Sequence, residues 1–286
     1  MVIRELPSAA TDLTEGPASD APPRTVGRRR LRRAVVGTAL FAGLPAALFA
    51  LWWALSAGST SFFFPPLSRI VDTFGTTWTP TRIGQDVLPS LVRLLAGFAL
   101  AGVVGIALGV LIGSVPRLAW ALGPTLAFLR AVPPPLLVPA IMLVLGIGDG
   151  MRITVVAVGC VWPVLLNTVD GVRSIDPLAR DTVAGLHLSA VQRLRHLVLP
   201  AAGPRIAAGL EQALSLALVM VVISEMFAAR DGLGRSILVF SQTFAIPAMW
   251  SGILLLGVLG ILLAFGFRAV QRWALAWWFG ATGAVR

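Results

Sequence analysis

Between Ala34 and Ser68 the chain carries no charged residue at all. About 20 consecutive apolar residues already cross a bilayer as a helix, and a run this long cannot be left in water. The pattern recurs, and the spacing predicts spans over Ala34–Ala57, Leu94–Val115, Leu118–Gly148, Ile153–Val169, Ile206–Ala229 and Ala248–Phe267. Only 13% of the 286 residues are charged and the mean hydropathy is +0.85, whereas a soluble domain has about 25% charged residues. A soluble enzyme is excluded. The expected fold class is an all-α polytopic membrane protein with about six transmembrane helices.

The third of these stretches is too long for one straight helix. Arg130 and Pro133-Pro134-Pro135 break it, and a break with a charge beside it is tolerated in a membrane only against protein or a water cavity. Leu94–Val115 carries Gly97, Gly105, Gly109 and Gly113 on one face, with Ala101 in the gap and Gly102 nearby. Small residues at that spacing form a helix-packing face in lipid. Residues 67–87, with Arg69, Asp72, Arg82 and Asp86, read as an interfacial helix and loop.

All 23 basic residues are Arg. Without Lys there is no Walker A loop to hold ATP and no Schiff-base chemistry. One Cys and two His exclude an internal disulfide and a structural zinc site. The net charge of +10 is explained by the positive-inside rule, not by nucleic acid. With the N-terminus in the cytosol, sixteen Arg fall inside and five outside. That bias predicts six spans with both termini cytoplasmic. Residues 1–33 read as a disordered basic cytosolic tail, 34–272 as the membrane domain, 170–205 as its large cytosolic loop, and 273–286 as a cytosolic tail.

No Ser-His-acid or Cys-His set and no metal-ligand spacing stands out, so the chain itself is expected to be no enzyme and to hold no metal. The charges within the spans are the remaining candidates. Glu211 and Glu225 are 14 residues apart, nearly four turns, so they share a face about 21 Å apart. Two readings fit them: gates on a translocation path, or interface residues paired with Arg. Arg130 likewise reads as a path residue or as a buried structural charge.

The loop 170–205 is the most informative segment. Asp176-Pro177 is a helix start, and Ser189 with Gln192 three residues on forms a capping box for a second short helix. Leu199-Pro200 is expected to end that helix. Val191, Leu194, Val198 and Leu199 make an apolar face, which suggests a docking knob whose face a partner groove covers.

That loop resembles the "EAA" coupling loop of binding-protein-dependent ABC-transporter permeases. The matching run is Asp181-Thr182-Val183-Ala184-Gly185-Leu186-His187, followed by Leu197-Val198-Leu199-Pro200. Further pieces resemble the nitrate/sulfonate/taurine branch: Pro89-Ser90-Leu91-Val92-Arg93 with Gly97-Phe98, Leu129-Arg130-Ala131-Val132-Pro133-Pro134, Leu145-Gly146-Ile147-Gly148, Trp162-Pro163 with Asn167, Asp170-Gly171-Val172-Arg173, and Ser224-Glu225-Met226 with Gly232-Leu233-Gly234. The resemblance covers about residues 62–272. Two departures stand out. The family's turn Gly is His187, and its leading acidic-small-small run is Asp181-Thr182-Val183. Either His187 takes the turn at positive φ, or Gly185 does in a shifted loop.

The resemblance implies a type I ABC importer permease fold in a bacterial inner or plasma membrane. It implies a second copy of the chain, ATPase subunits that bring ATP and Mg and dock through Asp181, Gly185, His187, Val191, Leu194, Val198, Leu199 and Pro200, and an extracytoplasmic solute-binding protein. The cargo of that branch is a small anion, with Arg130, Glu211 and Glu225 as path candidates. The competing expectation is an ion-coupled secondary transporter.

Overall fold

The structure is a computed structural model that describes residues 43–278. The tail 1–33, the expected start of the first span at 34–42, and residues 279–286 lie outside the described residues. The chain divides into two units, residues 1–55 and 56–286. The first contributes the apolar helix α1, Gly43–Ser56, along which the Phe49 and Trp52 rings lie 5.8 Å apart.

The second unit is helical throughout its regular structure. Its helices are α2 (Leu67–Thr77), α3 (Pro80–Ser114), α4 (Pro116–Ala131), α5 (Pro134–Leu145), α6 (Asp149–Arg173), α7 (Pro177–Gly185), α8 (Ala190–Phe227), α9 (Leu233–Gln242) and α10 (Ile246–Ala274). Four of them, α3, α6, α8 and α10, are long and apolar enough to cross a membrane. The pair α4–α5 bends by 84° at the expected break, and taken together the two are long and apolar enough to count as a fifth span. With α1 as the described part of the first span, the total is about six.

The glycine face of α3 decides the packing. A Cβ added at Gly97 would fall 2.6 Å from Val156 Cβ, at Gly105 2.9 Å from Val164 Cβ, at Gly109 2.5 Å from Thr168 Cβ, and at Gly113 2.8 Å from Val172 Cβ. Only glycine lets the two backbones come this close. Partner numbers rise together along the two helices, so α3 and α6 run parallel. Two parallel neighbours require a return crossing between them, and α4–α5 provides it. Gly102 lies off this seam, toward Leu210 of α8 at 3.4 Å. Helix α8 runs the other way along α6: Gly159 meets Met220, Gly209 meets Asn167, and Gly171 meets Ala202. Leu94, Val138, Val156, Cys160, Ala213 and Met220 fill the core between them.

Two helices pass through a proline near their N-terminal ends, one of them where the sequence suggests a stop. The expectation that Leu199-Pro200 ends a short helix, and that the span begins at Ile206, is corrected by the structure: α8 is continuous from Ala190. The chain widens into a π-turn over Leu194–Val198, where Leu199 N–H bonds Leu194 O. That extra residue gives clearance to Pro200, which has no N–H and would clash with the preceding turn. The same device recurs at the start of α3, where a π-turn over Ile83–Val87 precedes Leu88-Pro89.

The outer faces carry the interfacial features. Helix α2 buries Leu67 and Ile70 and leaves Arg69 and Asp72 outside. Trp78 is buried, its Nε1 donating to Ser251 Oγ at 3.1 Å. Phe62 to Phe64 form an irregular corner, and Trp250 Nε1 donates to Phe63 O at 3.1 Å.

Candidate functional site

The polar loop is shorter and better built than the interval 170–205 suggests, because α6 runs on to Arg173 and α8 begins at Ala190. Asp176 caps α7, its carboxylate accepting Leu178 N–H at 2.9 Å. The Ser189–Gln192 capping box is complete: Gln192 N–H donates to Ser189 Oγ at 3.3 Å and Ser189 N–H to Gln192 Oε1 at 2.9 Å. His187 joins the two helices at φ 50° while Gly185 remains within α7. His187 therefore takes the tight turn, in place of a shifted loop turning at Gly185. Arg180 Nη2 donates to Val172 O at 2.6 Å, which ties α7 to the end of α6.

The apolar side chains of this loop divide into two sets. Val198 is buried and Leu194 packs beside it, against Val172, Ile175, Ala202 and Ile206. Full burial of a side chain of this size contributes about 1.5–3 kcal/mol, and half-buried Leu194 contributes less. The expected partner-facing set is corrected accordingly: Leu194 and Val198 root the knob in the membrane domain, because the π-turn and α8's continuity bring them onto the bundle. Leu178, Leu186 and Val191 stay uncovered, 72%, 64% and 73% exposed. Asp181, Gly185 and His187 are exposed beside them, Leu199 is at the edge and Pro200 is half-buried. A rigid knob with an apolar tip results.

At the opposite end of α3, α6 and α8 lies a polar knot. Arg93 is 4% exposed and Glu225 fully buried. Arg93 Nη1 donates to Glu225 Oε1 at 2.9 Å, its Nη2 to Asp231 Oδ1 at 2.5 Å, and its Nε to Asp149 Oδ1 at 2.8 Å. Arg152 Nη1 reaches the same Asp149 oxygen at 2.8 Å. Glu225 also accepts Gly234 N–H at 2.9 Å, and Ser90 Oγ lies 2.7 Å from its Oε1. Gly232 sits at φ +115°, and a Cβ there would lie 2.6 Å from the carboxylate oxygens. The Gly-Leu-Gly run is thus a cradle for Glu225. Asp86 closes the knot, accepting from Ser236 Oγ at 2.7 Å.

The three path candidates are not brought together. Glu225 is inside the knot and fully buried. Glu211 is half-exposed and pairs with Arg268 at 3.2 Å. Arg130 is exposed at the end of α4, next to the bend, and makes no ion pair among the described residues. Sequence spacing does not reveal Asp149 and Asp231 as partners of Arg93 beside Glu225, nor Ser90 and Asp86 as the groups that complete the knot around Glu225 and Gly232. The motif pieces containing Ser90, Arg93, Glu225 and Gly232 were the available signal.

This parallel pair with a broken return, a capped knob and a cradled glutamate can be compared with known proteins. The profile of the binding-protein-dependent transport system inner membrane component family matches residues 101–275. The chain belongs to that family. It is an ABC-importer permease, not an ion-coupled secondary transporter. Similar proteins include the taurine transport system permease of Escherichia coli, 27% identical over 82% of this chain and 88% of that one. The nitrate import permease of Synechocystis is 30% identical over 76% and 82%, and its bicarbonate transport permease 33% identical over 78% and 84%. Among solved structures, the MetNI methionine ABC transporter in an inward-facing form matches 68% of this chain and 98% of that one, with a TM-score of 0.57 at 18% identity. The permease thus has the type I importer fold. Its family works with an ATPase and a binding protein.

Proposed function

We propose that this permease carries a small oxyanion, of the sulfonate, nitrate or bicarbonate kind, across a bacterial inner membrane. Two copies form the channel, a separate ATPase supplies ATP and Mg, and a binding protein delivers solute on the far side. The permease chain has no catalytic role of its own. The capped knob at α7 faces the cytosol, together with both termini.

The observation that carries this reading is the knob. Leu178, Leu186 and Val191 have no cover among the described residues, and apolar side chains of this size are buried when a groove receives them. Arg180, Leu194 and Val198 root the same knob in α6 and α8, so force applied at the tip reaches the spans. Asp181 and His187 sit at the tip as polar rim. Arg130, exposed at the bend of the broken span, offers five donors to a passing oxyanion. Taurine and nitrate appear in the names of relatives, and they set the solute class tested first.

The experiment is co-purification of the ATPase with wild-type, Leu178→Asp and Val191→Asp permease. Both variants insert normally and lose ATPase. Full retention of ATPase by both would remove the docking role of the knob.

A further inference from the structure

Helix α8 leaves one face bare. Between residues 200 and 220 the side chains left exposed among the described residues are Ala201, Arg205, Ala208, Gln212, Ser215 and Val219. They recur every three or four residues, so they form one stripe down the helix. The residues between them, among them Ala207, Ala213, Leu214 and Ala217, are buried against α6 and the core. Gln212 stands near the middle of the helical stretch Leu199–Ala228. Hydrocarbon is a poor cover for a stripe bearing an amide, a hydroxyl and a guanidinium, because each would lose its hydrogen bonds to water. The stripe therefore faces protein or water.

The polar atoms on it are arranged as donors. Asn167 Nδ2 donates to Pro163 O at 2.8 Å and to Gln212 Oε1 at 3.4 Å. This engages the Gln212 carbonyl, and the Gln212 amide NH2 has no acceptor within the described residues. Ser215 Oγ is 3.4 Å from Glu211 O, a long contact. The neighbouring carboxylate of Glu211 is taken up by Arg268. Two turns toward the knob, about 10 Å away by helix rise, Arg205 has no ion-pair partner among the described residues. The stripe thus presents neutral donors at mid-helix and a cation near the knob end, with no carboxylate on it.

We infer that this α8 stripe lines the solute path, with Gln212 and Ser215 as the mid-membrane station for an oxyanion, Arg205 as the next, and Asn167 as the residue that positions Gln212. This rests on the anion-importer reading above. Neutral donors suit the middle of a path, because a solute in transit must be held loosely enough to leave. Glu225 and Arg93 have no part in it, since each is buried and committed to the other.

Cysteine accessibility tests the path directly. The only native thiol, Cys160, is buried, so the wild-type protein is the blank. Ala208→Cys, Gln212→Cys and Ser215→Cys are made in the assembled transporter in membrane vesicles and treated with a charged, membrane-impermeant methanethiosulfonate. A thiol reacts as thiolate, which forms in water and not in lipid. The three stripe cysteines react about tenfold or more faster than Leu262→Cys on the outer face of α10, and Ala213→Cys stays unlabelled. Stripe labelling no faster than at Leu262→Cys overturns the inference. So do disulfide-linked dimers without labelling, which would make the stripe a dry seam between copies. A second arm follows ATP-dependent uptake of taurine, nitrate and bicarbonate in Gln212→Glu. Uptake of the transported anion falls about tenfold or more, equivalent to about 1.4 kcal/mol, while Ser215→Cys labelling in that background persists. Unchanged uptake overturns the oxyanion station. Labelling of the stripe cysteines, together with a wild-type transporter that imports none of the three anions, would defeat the anion reading and leave the path assignment standing.

Discussion

Replacing Arg93 by Leu strands Glu225. The carboxylate has no exposure to water and loses the Nη1 contact at 2.9 Å, keeping only Gly234 N–H and the Ser90 hydroxyl. Removing one member of a buried ion pair costs about 3–5 kcal/mol. The two retained donors place this case near the lower end, about 3 kcal/mol, or roughly a hundredfold in the folded-to-unfolded ratio. Glu225→Gln costs less, about 1–2 kcal/mol, since Gln keeps the shape and Arg93 keeps Asp149 and Asp231 as partners. In the double variant no charge is stranded, so its loss falls short of the sum of the singles by about 2 kcal/mol. The assay is the unfolding midpoint in mixed micelles for wild type, both singles and the double. Additivity to within about 0.5 kcal/mol would show that the two side chains do not act as a pair and would refute the reasoning.

The α3–α6 seam distinguishes its glycines: Gly109→Ala, placed 2.5 Å from Thr168 Cβ, lowers folded yield, whereas Gly102→Ala, 3.4 Å from Leu210, is tolerated; equal yields would contradict the parallel seam. At the knob, Leu194→Asp reduces the yield of the permease itself, while Val191→Asp leaves yield intact and loses the ATPase, as read by size-exclusion profile and co-purification. Arg130→Ala lowers anion uptake with assembly unchanged, and full uptake would remove Arg130 from the path.

Much of the fold is legible in sequence because the bilayer imposes long apolar runs, and their number and the proline break are read directly. The local motifs are legible for a similar reason. Asp176-Pro177 and the Ser189–Gln192 box are satisfied within a few residues, so no distant partner can change them. Helix continuity through Pro200 is not legible, because the compensating π-turn depends on how Val198 and Leu194 seat on Val172 and Ile175. The same packing moves Leu194 from partner-facing to rooted. The pairing of Arg93 with Glu225 spans 132 residues, and no spacing rule connects them. Periodicity correctly places Glu211 and Glu225 on related faces, but neighbours decide their roles: α9 closes over one, and Arg268 of α10 meets the other.

The central claim, that the chain is the channel of an ATP-driven importer, is tested most directly by uptake into proteoliposomes holding the permease, its ATPase and its binding protein. Labelled taurine, nitrate and bicarbonate are offered in turn, with ATP on the knob side. One of these anions accumulates only with ATP and binding protein present, vanadate stops it, and dissipating ion gradients leaves it unchanged. Accumulation driven by an ion gradient without ATP would contradict the account.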